Sequence, residues 1–298
     1  MASIRKTLDI NVNDSKNTRM DIANGNMLGN WRPDEIAHMT RYDKISSLCI
    51  EEAARLNRPI DTLEAGCGEL WVLRNLYKAY TVKKSDIINS YVGVDIDPAV
   101  LQEKNGYHSP TGLVRDSQWF ANFNGSLYIQ DLTTHSEFKV PDESIDFFWS
   151  TEVIEHMQPE FVSGWLDDVH RTLRPGGLIY ISTPNSDGSN KKLPKDHIYE
   201  WGFEELQYEL IAPPRNWVLK SVVGTFCQLP RLRKAMEHDL KPSVTMGEEE
   251  EYPGQPRWYD DQFELLEERF GRHFLRVVGA TFFPEISNNC AWTLRKRS

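Results

Sequence analysis

The sequence predicts an α/β chain built on a doubly wound, mostly parallel β-sheet with helices on both faces. Two observations carry this. Short apolar runs alternate with helix-like segments along most of the chain. The runs also end in glycines, acids or hydroxyl residues, at the positions where such sheets bind ligands.

The elements follow in order. Residues 1–32 are rich in Asn, Asp and Lys with little periodicity and read as an N-terminal arm. Pro33–Leu56 is a helix: Pro33 suits a first turn, and Ile36, Met39, Ile45, Leu48 and Ala53 recur at roughly helical spacing. Ile60–Ala65 is a strand closed by Gly66-Cys67-Gly68, and a helix over Leu70–Tyr80 follows. Tyr91–Asp95, Ser126–Gln130 and Ser144–Trp149 are strands ending at Asp95, Asp131 and Ser150-Thr151. Pro159–Leu173 is amphipathic, with Val162, Leu166, Val169 and Leu173 on one stripe. A turn at Arg174–Gly177 leads into the strand Leu178–Ser182. Later, Phe203–Ile211 and Tyr259–Phe270 read as helices, and Trp217–Phe226, Phe274–Thr281 and Cys290–Arg295 as strands. The stretch 228–256 breaks the rhythm with a basic segment, an acidic run and Pro253-Gly-Gln-Pro256, and reads as an inserted lid within one domain spanning 33–298.

Composition narrows the class. A chain of 298 residues with 40% hydrophobic and 26% charged residues is ordinary globular protein. The formal charge of −10 argues against coating nucleic acid through bulk positive charge, though not against a local basic groove. Cys49, Cys67, Cys227 and Cys290 form no CxxC pair, so neither a zinc ribbon nor a disulfide framework is expected. With no leader-like or membrane-length apolar run, the expectation is a soluble cytoplasmic protein without a membrane partner.

The strand ends carry chemistry suited to one adenosine-containing ligand. Gly66 and Gly68 allow a tight bend close to a ligand. Asp95 can accept hydrogen bonds from ribose hydroxyls, Asp131 from an exocyclic amine, and Glu64 can meet a cationic amine. A dinucleotide fits less well. Trp71 stands where the third glycine of GxGxxG would be, and Glu69 puts an anion where a pyrophosphate would sit. Asp97, followed by Pro98, reads as a helix cap.

Leu63-Glu-Ala-Gly-Cys-Gly-Glu69, Gly93-Val-Asp-Ile-Asp-Pro98, Gln130-Asp-Leu132, Phe148-Trp-Ser-Thr-Glu-Val-Ile-Glu-His156 and Leu173-Arg-Pro-Gly-Gly-Leu-Ile-Tyr-Ile-Ser-Thr-Pro-Asn185 together resemble the ordered motifs of class I S-adenosylmethionine-dependent methyltransferases. The resemblance covers about residues 40–225. It implies a Rossmann-like, seven-stranded sheet whose last strand is antiparallel, with S-adenosylmethionine across the strand ends. It implies that Glu64, Gly66 and Gly68 surround the methionine moiety, that Asp95 and its neighbour Ile96 bind the ribose, and that Asp131 and Leu132 border the adenine. Arg41 and Tyr42, in the preceding helix, would cap the cofactor.

The acceptor is open between readings. Glu152, Glu155 and His156, if helical, face one side, and His197 lies in Asp196-His-Ile-Tyr-Glu-Trp201. This set is similar to the metal site of small-RNA 3′-terminal 2′-O-methyltransferases of the Hen1 type, which implies Mn²⁺ or Mg²⁺ on those four residues. The same segments also resemble small-molecule methyltransferases of the ubiquinone-biosynthesis type, which use no metal. There a small-molecule hydroxyl is the acceptor and His156 or His197 a candidate base. A non-catalytic methyltransferase-like partner protein is a further alternative. Arg231, Arg233, Lys234, Lys241 and the basic Arg295-Lys-Arg297 read either as a phosphate-contacting strip or as a solvated face. Trp258, Tyr259 and Phe263 read as an acceptor wall or as lid packing.

Overall fold

A computed structural model describes residues 33–105, 109–134, 137–186, 193–239, 265, 268–269 and 271–298. The arm 1–32, the acidic and proline-rich part of the expected lid from 240, Lys241, and the Trp258, Tyr259 and Phe263 group lie outside the described residues, as does most of the expected helix Tyr259–Phe270.

The chain runs α1 (Pro33–Leu56), β1 (Ile60–Ala65), α2 (Trp71–Ala79), β2 (Ile88–Asp95), β3 (Gln102–Asn105), β4 (Ser109–Leu113), β5 (Gly125–Ile129) and β6 (Ile145–Thr151). It continues through α3 (Pro159–Thr172), β7 (Leu173–Pro184), α4 (Phe203–Ile211), β8 (Trp217–Cys227), α5 (Leu229–Asp239), α6 (Arg272–Phe282) and β9 (Ser287–Lys296). Seven strands form one sheet in the order β5-β2-β1-β6-β7-β9-β8. The pairs from β5 to β7 are parallel, and β9 is antiparallel to both β7 and β8. That is the doubly wound arrangement the sequence predicts, with one antiparallel strand. β3 and β4 pair separately as a hairpin the apolar pattern did not announce.

Alternation along β6 shows how the sheet is covered. Phe148 joins the core with Val162, Trp165, Leu166 and Val169 of α3 and Leu206 and Leu210 of α4. Phe147 and Trp149 face the opposite layer, with Ile45 and Leu48 of α1 and Val72, Leu73 and Leu76 of α2. Each of these side chains, once fully buried, contributes about 1.5–3 kcal/mol. The apolar runs are continuous because both faces of the sheet are dry.

One expectation needs correction. The stretch Phe274–Thr281 is helix, not strand. Leu275 and Ala280 are buried, and Gly279 lies so close to Leu232 of α5 that an added Cβ would stand 2.5 Å from Leu232 Cδ2. A short apolar run does not itself distinguish the two periods. Residues 228–239 of the expected lid are mostly the helix α5, packed on the domain through Leu232. Among the described helices none is long and apolar enough to cross a membrane.

Candidate active site

The chain leaves β1 for β2 and β5 on one side of the sheet and returns to β6 on the other. The carboxyl ends of β1 and β6 therefore flank the topological switch point, where such sheets open a crevice. Ala65 is paired with Ser150 across it.

On the β1 side, Gly66 (φ +72°) and Gly68 (φ +46°) make a left-handed bend into α2. A Cβ on Gly66 would lie 2.2 Å from Val153 Cγ2, so the β6 loop packed over it requires this glycine. A Cβ on Gly68 would meet nothing within 4 Å, which leaves open space beside that backbone. The Gly68 N–H donates to Asp95 Oδ2 at 2.7 Å and the Asp97 N–H to Asp95 Oδ1 at 2.9 Å, so Asp95 ties the ends of β1 and β2 together. A carboxylate has about four acceptor positions, so Asp95 retains capacity for further donors. Asp97 caps the following turn by accepting from the Ala99 N–H at 2.8 Å, as its sequence context predicts. Ile96 is 58% exposed beside these groups. Asp131 accepts from the Thr133 N–H at 2.8 Å and its hydroxyl at 2.6 Å, while Leu132 is buried in the core.

Glu64 is buried and accepts from the Tyr91 hydroxyl at 2.5 Å. Burial pushes its carboxyl up to about 8, against the opposing hydrogen bond from Tyr91. Tyr91 was not foreseen, although a tyrosine two residues before Gly93 in an otherwise apolar strand was a visible signal.

The β6 side departs from the sequence expectation. Glu152 does not begin a helix. It sits alone in the left-handed region (φ +57°), its N–H donating to Ser182 O at 2.9 Å, and a short 3₁₀ turn over Ile154–His156 follows. Glu152 is instead held by partners of its own, with its charge still close enough to act on Glu155. Its Oε1 accepts from Arg41 Nη1 at 2.8 Å and from Asn289 Nδ2 at 2.7 Å. Arg41, buried in α1, also pairs with His38, and Tyr42 lies half-buried beside that histidine. Asn289 is 137 positions from Glu152, beyond any spacing rule.

Glu155, His156 and His197 do come together, their ligand atoms all within 4.8 Å of one another. The backbone carbonyl of Glu155 accepts from the N–H groups of Ile198 (2.7 Å) and Tyr199 (3.1 Å), which brings the His197 loop to the β6 end. His156 Nδ1 lies 2.7 Å from Asp196 O, and His197 Nδ1 2.7 Å from Glu200 Oε1. Both acceptors call for a proton on Nδ1, which leaves each Nε2 a lone pair. Glu155 is 1% exposed; Oε2 accepts from Thr183 at 2.9 Å, and Oε1 has no hydrogen-bond partner. Burial, then the negative charge of Glu152, raises the Glu155 carboxyl pKa. A buried oxygen without a donor, facing two imidazoles oriented by second partners, is an arrangement that could hold a cation. Of the four expected residues, Glu155, His156 and His197 bring their ligand atoms together, while Glu152 is held by Arg41 and Asn289.

The basic strip also changes. Arg295 is paired with Glu52, and Lys296 is buried, donating to His170 O and Leu173 O. Those two cations hold α1 and the α3–β7 junction and are not a phosphate-contacting surface.

A sheet with this strand order, a glycine bend after β1 and acids closing β1, β2 and the segment after β5 defines a class I S-adenosylmethionine-dependent methyltransferase domain. Residues 37–235 match the model of a family described as "Methyltransferase domain", and the chain belongs to that family. It is 32% identical over 175 residues, 57% of its length, to a "probable S-adenosylmethionine-dependent methyltransferase" of Mycolicibacterium smegmatis. It is 28% identical over 202 residues, 66% of its length, to a protein of the same description from Mycobacterium tuberculosis. The matches span 54% and 59% of those two relatives. Among solved structures, it resembles the small RNA methyltransferase HEN1, with a TM-score of 0.49 and 17% identity over 88% of this chain and 25% of that one.

Proposed function

We propose that this protein transfers a methyl group from S-adenosylmethionine to a hydroxyl oxygen of a small molecule, at a site that includes a divalent cation. The observation that carries the reading is the partnerless buried Oε1 of Glu155 beside His156 and His197, in the turn that follows β6.

The residues at the bend fit a cationic, phosphate-free adenosyl ligand. Open space lies beside Gly68, and Glu69 and Asp95 would repel a pyrophosphate. Asp95 would accept from the ribose, Asp131 and Leu132 would border the base, and Glu64 would face the amino acid moiety. When bound, the cofactor supplies a methyl group already made electrophilic by its sulfonium, so the protein contributes orientation and a dry crevice. Glu155, His156 and His197 would hold a cation. Two imidazoles with one carboxylate favour Mn²⁺ over Mg²⁺, and such an ion would make an acceptor hydroxyl more acidic. Glu152, fixed by Arg41 and Asn289, lines the same strand end.

Calorimetry tests both halves. S-adenosylhomocysteine should bind the wild type, and Mn²⁺ should bind in its presence. His197→Ala or Glu155→Gln should abolish Mn²⁺ binding while S-adenosylhomocysteine still binds. Mn²⁺ affinity unchanged in both variants refutes the cation site.

A second reading takes the acceptor to be the 3′-terminal ribose of an RNA. It is favoured by the same cluster, which could hold neighbouring hydroxyls. The charge of −10 and the structural use of Arg295 and Lys296 weigh against it. RNA binding whose affinity falls steeply with salt would favour it.

A further inference from the structure

A cleft of about 150 Å³ lies between α1 and α6 on the face of the sheet that carries α1. Tyr180 of β7, Gly224 of β8 and Ala291 of β9 line it from the sheet, Lys44 from α1, and Val277 and Thr281 from α6. None of these residues has a part in the cofactor bend or the cation cluster. Arg41 lines the cleft as well, and it is the residue whose guanidinium holds Glu152, so the cleft adjoins the β6 end of the crevice.

Three features describe what would fill it. Its volume matches that of an apolar protein cavity that admits a benzene ring, about 150 Å³. Tyr180 is 3% exposed, and its hydroxyl has no hydrogen bond among the described residues; burial comes first among the causes that push its pKa far up. Facing the cleft without a protein partner, that hydroxyl is available to a polar group on whatever enters. Lys44 is exposed and makes no ion pair among the described residues, and no acid lines the cleft.

We propose that this cleft is the acceptor subsite, and that it takes a ring-sized apolar group bearing a carboxylate, the ring against Val277 and Ala291 and the carboxylate towards Lys44. The proposal rests on the small-molecule reading above and names the acceptor's chemical class. It gives the α1–α6 gap a specificity role separate from the methyl-transfer machinery.

Benzoate and its neutral analogue benzyl alcohol serve as probes. Each is titrated calorimetrically into wild type, Lys44→Gln and Thr281→Phe, with and without S-adenosylhomocysteine. The affinity for S-adenosylhomocysteine is measured in every protein. Both substituted side chains are exposed at the rim, so both variants should fold. Benzoate should saturate the wild type in the millimolar range and bind about threefold more tightly than benzyl alcohol, the scale of one exposed charge pair. Lys44→Gln should remove that difference. Thr281→Phe should weaken benzoate by about tenfold or more by occupying the cleft, with S-adenosylhomocysteine binding unchanged. Failure of benzoate to saturate overturns the proposal, as does affinity that Thr281→Phe leaves intact. Equal affinity of Lys44→Gln and wild type for benzoate overturns its anionic part. Absence of S-adenosylhomocysteine binding is a distinct result and refutes the cofactor reading instead.

Discussion

Gly66→Ala should destabilise the domain by about 2–5 kcal/mol, from two separable causes. Gly66 has φ +72°, and a residue with a Cβ in the left-handed region costs about 1–2 kcal/mol. The new Cβ would also lie 2.2 Å from Val153 Cγ2, and overpacking of that kind costs about 1–3 kcal/mol. Val153 is β-branched and packed against the core, so it cannot swing aside freely. Relief must come from the backbone, and Val153 immediately precedes the turn that carries Glu155 and His156. The two causes separate in a double-mutant cycle with Val153→Ala, read by urea unfolding. Removing the valine methyls should recover about 1–3 kcal/mol of the Gly66→Ala loss and leave the backbone cost. Mn²⁺ affinity should fall in Gly66→Ala and recover in the double variant. Effects additive within about 0.5 kcal/mol would show that the bend and the β6 loop do not press on each other, and would refute the reasoning.

Other perturbations act elsewhere in the same frame. Asp146 is buried and paired with Arg58 (2.7 Å) and Arg174 (2.8 Å) below the sheet; Asp146→Ala should cost about 3 kcal/mol by urea unfolding, the low end for a broken buried pair, because Arg58 is part-exposed and Arg174 keeps Asp61. Burial alone would raise the Asp146 pKa, but its hydrogen bonds from Arg58, the Asp61 N–H and Arg174 hold it below 3.8. Its contribution is therefore present above that value and lost as pH falls through the lower folded one, and the acid limb of a stability–pH curve should flatten in Asp146→Ala. Glu64 has the opposite sign: the folded state keeps a proton that the unfolded chain releases above 4.5, so stability should fall as pH rises from there to about 8, and Glu64→Gln should remove that slope. Asp95→Ala removes the acceptor for both the Gly68 and Asp97 N–H groups and should weaken S-adenosylhomocysteine by about tenfold or more in calorimetry, since hydrogen bonds to charged groups are worth about 1.5–3 kcal/mol.

The parts of this molecule legible in its sequence are those fixed by neighbours along the chain. The bounds of α1 and α4 coincide with their expected ones, because a proline opens the first, and each has a single apolar stripe. The strand ends that carry Glu64, Asp95 and Asp131 were legible for the same reason: an apolar run stops and an acid begins. The helix α6 was not, since its alanine, glycine and valines serve either period and only the approach of Leu232 to Gly279 decides. Nor was the use of Arg295, whose partner Glu52 lies 243 positions away.

The two glutamates after β6 show where spacing fails as an argument. Read as a helix, positions 152, 155 and 156 fall on one side, and four ligands for one cation follow with His197. The strand does not hand over to a helix there. The Glu152 N–H completes the β7 edge at Ser182, and the left-handed backbone that results aims its side chain at α1 and β9. Three residues later, Glu155 is turned inward and desolvated, with one oxygen bonded by Thr183 and the other left bare. The same residue type at helical spacing thus divides into an acid satisfied by Arg41 and Asn289 and an acid with one oxygen left without a hydrogen bond. If Glu152 belonged with the cluster, Asn289→Leu and Arg41→Met would free it and strengthen Mn²⁺ binding. On the geometry described, Asn289→Leu, which removes no charge, should leave Mn²⁺ affinity within about threefold of wild type, while Arg41→Met removes a cation whose charge reaches Glu155 and disturbs the cleft that Arg41 lines.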